Sequence, residues 1–229
     1  MFTLAPIGLI HSCFGEKFGI PRQAGLAPAA RATLELLPPY AAPETVRGLE
    51  EFSHLWLIFV FHGIPDGQWQ PTVRPPRLGG RQRLGVFATR SPFRPNPIGL
   101  SVVKLERIVI NRGRVTLHLA GIDLLDGTPV LDIKPYLPYA DSLPDAIGGF
   151  ASQAPDASLI VAFSPAADAV CAAWPGGGLR ELIVQVLSQD PRPAYEQTAG
   201  SSQCYGMRLH DRDVQWEMRD GIAYVTAIR

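Results

Sequence analysis

The 229-residue chain balances 21 basic against 21 acidic side chains, so net charge alone draws no anionic partner to it, while 46% apolar residues can fill a sizeable core. Its longest strongly apolar run, residues 55–61, is far short of the roughly 20 residues that span a bilayer, and residues 1–11 lack the pattern of a secretory leader, so a soluble cytoplasmic protein is expected. Cys13, Cys171 and Cys204 are odd in number and widely spaced, which excludes a disulfide framework and the paired spacing of a zinc site.

Short apolar runs alternate with turn residues over the first two-thirds of the chain. Strands are predicted at residues 4–12, 32–37, 54–61, 84–89, 98–110, 115–120 and 130–133, the pattern of an all-β barrel or sandwich. Residues 111–113 and the Asp126-Gly127 pair supply the tolerance of positive φ that hairpin turns need. Residues 142–165, rich in Pro, Ala, Ser, Gly and Asp, read as a boundary, which divides the chain into domains at 1–150 and 151–229. Beyond it, helical spacing at 166–174 and 179–188 precedes a β-meander at 204–209, 214–219 and 222–228, with Asp220-Gly221 as a hairpin turn. The expected architecture is mainly β, with a small C-terminal α+β appendage.

Charge is distributed unevenly along this frame. Between Gly67 and Leu105 there is no acid, yet Arg74, Arg77, Arg81, Arg83, Arg90, Arg94 and Lys104 occur there among prolines and aromatics. A guanidinium fork matches phosphate and stacks on bases, so RNA is the first partner this cationic face suggests; packing on its own fold or on a second subunit is the other reading. Within this face the string 89–99 carries three prolines in six residues, presenting Arg90, Arg94 and the Asn96 amide from a stiff platform suited to a ligand. Pro21-Arg22-Gln23, after the first strand, and His62-Gly63, closing the most apolar one, are further candidates; the plain alternatives are a tripeptide that holds nothing and a satisfied half-buried His at a turn. The string 123–136 gathers Asp123, Asp126, Asp132 and Lys134, carboxylates able to hold ribose hydroxyls or accept a proton, and a strand there puts Asp132 and Lys134 on one face. Its spacing does not match a calcium loop, and no metal site is expected. The Asp190-Pro191-Arg192-Pro193-Ala194-Tyr195 turn again fixes polar groups on prolines, or simply ends a helix. The Walker loop, the dinucleotide Gly fingerprint, the His-Glu-x-x-His helix and the nucleophile elbow are all missing, which argues against a doubly wound methyltransferase or dehydrogenase.

Pro21-Arg22-Gln23, the runs 46–50 and 52–56, the block 74–80, and the strings 90–99, 126–136 and 189–195 together resemble the TrmO-type family of tRNA methyltransferases, nearly end to end. The resemblance implies S-adenosylmethionine as cofactor, a single-sheet β-barrel, a homodimer, and methylation of N6-threonylcarbamoyladenosine beside the tRNA anticodon. By position it assigns Pro21, Arg22, Gln23, His62, Gly63, Arg90, Leu100, Ile122, Asp123, Leu124, Leu125 and Asp126 to the cofactor. Asp126, Asp132 and Tyr195 become the candidates for proton handling. Arg94 and Arg192 become those for the threonyl carboxylate, and Arg74, Arg77, Arg81, Arg83, Asn96 and Lys134 those for RNA. Residues 166–178 look less typical of the family. A methyltransferase for a small metabolite would leave the arginine segment unused, and a non-enzymatic RNA-binding module would explain that segment alone.

Overall fold

The computed structural model describes residues 3–65, 67–193, 196 and 203–229. The chain divides into two compact units, Met1–His11 with Ala32–Ala120 and Gly127–Gln153, and Ser12–Arg31 with Gly121–Asp126 and Ala154–Arg229. Two loops of the N-terminal sequence therefore cluster with the C-terminal residues.

In the first unit the strands run in the order β1 (Gly8–Ser12), β2 (Arg31–Leu36), β3 (His54–Val60), β4 (Thr72–Val73), β5 (Leu84–Gly85), β6 (Ile98–Asn111), β7 (Arg114–Ala120) and β8 (Pro129–Pro135). A closed barrel forms in the order β1-β2-β7-β6-β3-β8, and β4 and β5 make a separate two-stranded ribbon. The period of two explains the barrel core. Ala32, Leu34 and Leu36 of β2, Leu55, Leu57 and Phe59 of β3, Val103 and Leu105 of β6, and Val115, Leu117 and Leu119 of β7 all point inward and are buried. Gly99 belongs to the same inner face because the Phe59 ring occupies its side-chain space; a Cβ there would lie 2.2 Å from the ring.

The barrel bears out the β-rich reading, with two local corrections. Residues 84–89 do not form one strand: β5 stops after two residues and a 3₁₀ turn, Val86–Ala88, follows. Its partner Thr72–Val73 is bracketed by Pro71 and Pro75, which cannot extend a ladder. Asp126-Gly127 is not a hairpin turn between neighbours either, because β7 pairs with β6 and β2 while β8 pairs with β3 and β1. A short helix, α1 (Pro138–Asp141), follows β8.

The second unit holds β9 (Val161–Phe163), α2 (Pro165–Ala172), α3 (Leu179–Leu187), β10 (Cys204–Leu209), β11 (Arg212–Arg219) and β12 (Ile222–Ile228), with the sheet order β10-β11-β12-β9. Ser164 caps α2 by accepting the Ala167 N–H, and Pro165 follows at the first helical position, where its missing donor costs nothing. Leu179, Leu182, Ile183, Val186 and Leu187 form one buried stripe along α3. Asp220 and Gly221, both at positive φ, make the β11–β12 hairpin turn. The three-residue β9 pairs in parallel with β12, a long-range match that its own sequence does not announce.

Candidate cofactor and RNA site

The proline-rich string of the barrel unit is locked from several directions. Arg94 N–H donates to Pro92 O at 2.8 Å and Ile98 N–H to Asn96 O at 2.7 Å, two tight three-residue turns. Thr89 N–H reaches Val86 O at 3.1 Å, the Ser91 N–H reaches the Thr89 hydroxyl and the Phe93 N–H the Ser91 hydroxyl, both at 3.3 Å. Arg94 closes the arrangement by donating through Nη1 to Thr89 O at 2.8 Å and Val86 O at 3.3 Å, with its guanidinium 5.6 Å from the Phe87 ring centre. Arg90 and Asn96 stand exposed on this platform.

The same end of the barrel carries His62 and Gly63. Val60 faces Ile98 in the β3–β6 ladder, Phe61 N–H donates to Pro97 O at 2.8 Å, and His62 N–H turns back to Val60 O at 2.8 Å. Leu100 lies one step inside this end, opposite Ile58, on the outer face of the barrel and 52% exposed. An exposed apolar surface, a backbone turn and a guanidinium are thus close in sequence and register. Those are the groups that an adenine ring, a ribose and an amino-acid carboxylate require, so the residues fit the cofactor the resemblance names.

On β8 the pairing with β3 slips between Ile58 and Phe59, so Ile58 faces Asp132 and Phe59 faces Val130. Bulges of this kind re-aim a side chain at a barrel rim. Asp132 accepts the Ile133 N–H at 2.9 Å and sits 3.3 Å from Lys134 Nζ, the shared face expected from their spacing. Among the cationic residues, Arg77 donates to Gln153 O and Arg83 Nη1 reaches the Thr72 hydroxyl at 3.0 Å, while Arg74 and Arg81 are exposed.

In the second unit the segment Gly121–Asp126 is knitted to Ser12–Arg31. Gly25 N–H donates to Gly121 O at 2.8 Å and Gly121 N–H to Ala30 O at 2.9 Å; a Cβ on Gly121, at φ +69, would come within 3.3 Å of the Gly25 backbone. The Ser12 hydroxyl donates to Leu124 O at 2.7 Å, and the Asp126 carboxylate accepts the Ser12 N–H at 2.9 Å. Asp126 is therefore in part a brace for the turn. Ile122 and Leu124 are buried, so they could face a ligand through backbone alone, whereas Asp123 and Leu125 are half-buried. Downstream of Pro21-Arg22-Gln23 the chain is held by the C-terminal elements: Ala29 N–H bonds Gln185 Oε1 at 2.7 Å and Gln189 Nε2 donates to Leu26 O at 3.1 Å, both from α3 or just beyond it. Pro21 is buried, Arg22 is exposed, and Gln23 turns its amide onto Arg22 O.

Arg192 is 5% exposed and holds its neighbour Asp190 in a two-point pair, Nε to Oδ1 and Nη2 to Oδ2, each 2.8 Å. That hydrogen bonding, with further help from Tyr205, raises its pKa above the ordinary value. Its carboxylate-binding edge thus meets a carboxylate of its own turn. Tyr195 lies outside the described residues. Reading the sequence missed Ser12, whose partners are more than a hundred residues away, and assigned Arg94 to substrate without its role in the loop.

The N-terminal domain of tRNA-methyltransferase O matches residues 9–142, and the C-terminal domain of the same proteins matches residues 156–229. The chain belongs to the TrmO family. It is 50% identical, over 96% of its length and 94% of the other chain, to a tRNA (adenine(37)-N6)-methyltransferase of Escherichia coli. A putative S-adenosylmethionine-dependent methyltransferase of Pseudomonas aeruginosa is 55% identical over 93% of this chain and 91% of its own. A TrmO crystal structure from Pseudomonas aeruginosa superposes with a TM-score of 0.82 at 46% identity, covering 100% of this chain and 98% of that one. The resemblance drawn from the motifs and the expected barrel both hold. No helix among the described residues is long and apolar enough to cross a membrane.

Proposed function

We propose that the protein transfers a methyl group from S-adenosylmethionine to the exocyclic nitrogen of N6-threonylcarbamoyladenosine at position 37 of tRNA, and that it acts as a homodimer. The observation that carries this reading is the match over 96% of the chain to a protein named for methylation of that adenine.

When bound, the cofactor supplies an electrophilic methyl on a sulfonium. The remaining work falls to the chain. In the barrel unit, Leu100 offers an apolar seat, His62 and Gly63 a backbone edge, and Arg90 a cation for the methionine carboxylate. In the second unit, Pro21, Arg22, Gln23 and the turn 122–126 are the cofactor groups, with Asp123 for hydroxyls and Ile122 and Leu124 contributing backbone. Transfer needs the methyl and the acceptor nitrogen roughly 3 to 3.5 Å apart in line, so positioning by a rigid platform supplies much of the rate. The acceptor's lone pair is delocalised into the purine and the carbamoyl group, and a base that takes its proton restores nucleophilicity. Asp132, re-aimed by the bulge on β8, serves that role in the barrel unit, with Lys134 beside it. Asp126 and Tyr195 are the other proton-handling candidates.

Arg94 is pre-oriented by its bonds to the loop and takes the threonyl carboxylate at little entropic cost. Arg192 acts instead by fixing its turn through Asp190. Arg74, Arg77, Arg81, Arg83 and Asn96 meet the RNA backbone. The homodimer is supported by apolar surface: Tyr139, Leu143 and Ile147 after β8 are 87%, 72% and 97% exposed.

Mass spectrometry of tRNA nucleosides from cells with and without the gene tests the reading. The methylated threonylcarbamoyladenosine is expected to be present in cells with the gene and missing from cells without it, and an unchanged nucleoside profile contradicts the reading.

A further inference from the structure

The hairpin joining β6 and β7 breaks a local rule. Its two central residues, Arg112 and Gly113, both take positive φ, +50° and +78°. Such a turn favours Asn, Asp or Gly at both places. The other described non-glycine residues at positive φ are Asp190, His210 and Asp220, types that tolerate it. Arg112 is the exception, a long cation where a short polar side chain fits at less cost. Residues that break a local rule are expected at functional or strained sites.

Its surroundings share one sign of charge. Arg112 and Arg114 are exposed at the tip beside the exposed Asn111. Arg107 is exposed further down the same hairpin, beside His118, with Nη2 3.2 Å from the ring Nδ1. Between Ile98 and Ala120 the one acid is Glu106. The exposed Val109 and Ile110 lie between these cations. The tip of the hairpin is remote from the Arg90–Leu100 end of the cationic segment, although the exposed Lys104 of that segment lies on the way: β6 runs from one end to the other, a span of up to about 40 Å at ~3.3 Å per residue. With a screening length of about 8 to 10 Å, the two ends act as independent fields. A small substrate seated near Leu100 cannot reach Arg112; a polyanion tens of ångströms long can.

We propose that Arg107, Arg112 and Arg114 on the β6–β7 hairpin form a second phosphate-binding surface, which takes the backbone of an RNA stem remote from the modified base. The inference rests on the tRNA reading above and deepens it: the base end supplies recognition, and the hairpin supplies affinity for the body of the molecule. Its contacts are to phosphate and carry no sequence preference.

The test compares the parent with the triple variant Arg107→Gln, Arg112→Asn, Arg114→Gln, in which Asn keeps a side chain that accepts positive φ. Each is titrated with full-length tRNA and with an isolated anticodon stem-loop over a range of salt, after matching thermal unfolding midpoints. The expected result is full-length tRNA affinity lower by about tenfold or more and a log–log salt slope shallower by about 2 to 3. Stem-loop binding and S-adenosylmethionine binding stay within about twofold. An unchanged full-length affinity and slope overturns the proposal while leaving the function standing. A parent that binds and methylates neither RNA overturns both. Loss of binding to anionic phospholipid vesicles with tRNA binding intact gives the hairpin to a membrane surface and also overturns it.

Discussion

Arg90 and Arg94 lie four residues apart on one loop and do different work. Arg94 holds two backbone carbonyls of the preceding turn, whereas Arg90 stands exposed beside the proposed cofactor groups. Arg90→Ala is therefore expected to weaken S-adenosylmethionine by roughly ten- to a hundred-fold, about 1.5 to 3 kcal/mol. Arg94→Ala should lower the unfolding midpoint, because it leaves the half-buried Thr89 carbonyl without its Arg94 donor at a cost of about 1 to 3 kcal/mol, while Val86 O keeps the Thr89 N–H and hydroxyl. Paired calorimetry and thermal denaturation separate them; a cofactor affinity unaltered in Arg90→Ala removes that residue from the site. Cys13 makes a second residue-scale prediction. Burial pushes its thiol from the ordinary 9.0 up to about 12. The unfolded chain then loses this proton at lower pH than the folded one, so stability is fully present below about pH 9 and falls as pH rises towards 12. The slope approaches 1.4 kcal/mol per pH unit for this one group. Urea titrations of the parent and Cys13→Ala across that range should converge at the alkaline end; parallel curves contradict the assignment.

At the scale of elements, the cationic segment between β4 and β6 mixes duties. All four arginines are exposed, and Arg77 and Arg83 also bind their own chain. Replacing all four by Gln should weaken tRNA binding and flatten its salt dependence, with cofactor affinity nearly unchanged. The Arg74 and Arg81 pair should account for most of the change, and an equal share from Arg77 and Arg83 would show that their intramolecular bonds yield to RNA. These arginines were legible in the sequence because their chemistry is contiguous. So were β2, β3, β6 and β7, whose alternation of buried and outward residues is a local pattern, and α3, whose apolar stripe has helical spacing. What stayed hidden was non-local. Asp126-Gly127 has hairpin chemistry, but its flanking strands pair with others; β9 exists because β12 arrives sixty residues later; and Ser12 meets Leu124 and Asp126 across 112 and 114 positions of chain. The hold that Gln185 of α3 and Gln189 just beyond it take on Ala29 and Leu26, downstream of Pro21–Gln23, likewise spans more than 150 positions of chain.

For the whole molecule, the exposed Tyr139, Leu143 and Ile147 should be covered in the proposed homodimer. Sedimentation of the parent is expected to give a dimer, and Ile147→Asp with Leu143→Asp should shift it towards monomer; a parent that is monomeric at high micromolar concentration contradicts that part of the account. The central claim is the identity of the acceptor, and the modification on the base is what distinguishes it from a plain adenine. The most direct measurement incubates the protein with isotope-labelled S-adenosylmethionine and either of two preparations of one tRNA, with and without the threonylcarbamoyl group, and follows the nucleosides by mass spectrometry. The account predicts labelled methyl on the threonylcarbamoyladenosine of the modified tRNA and little on the unmodified one, since the carboxylate that orients the base is missing there. Equal methylation of both preparations, or of neither, would contradict it.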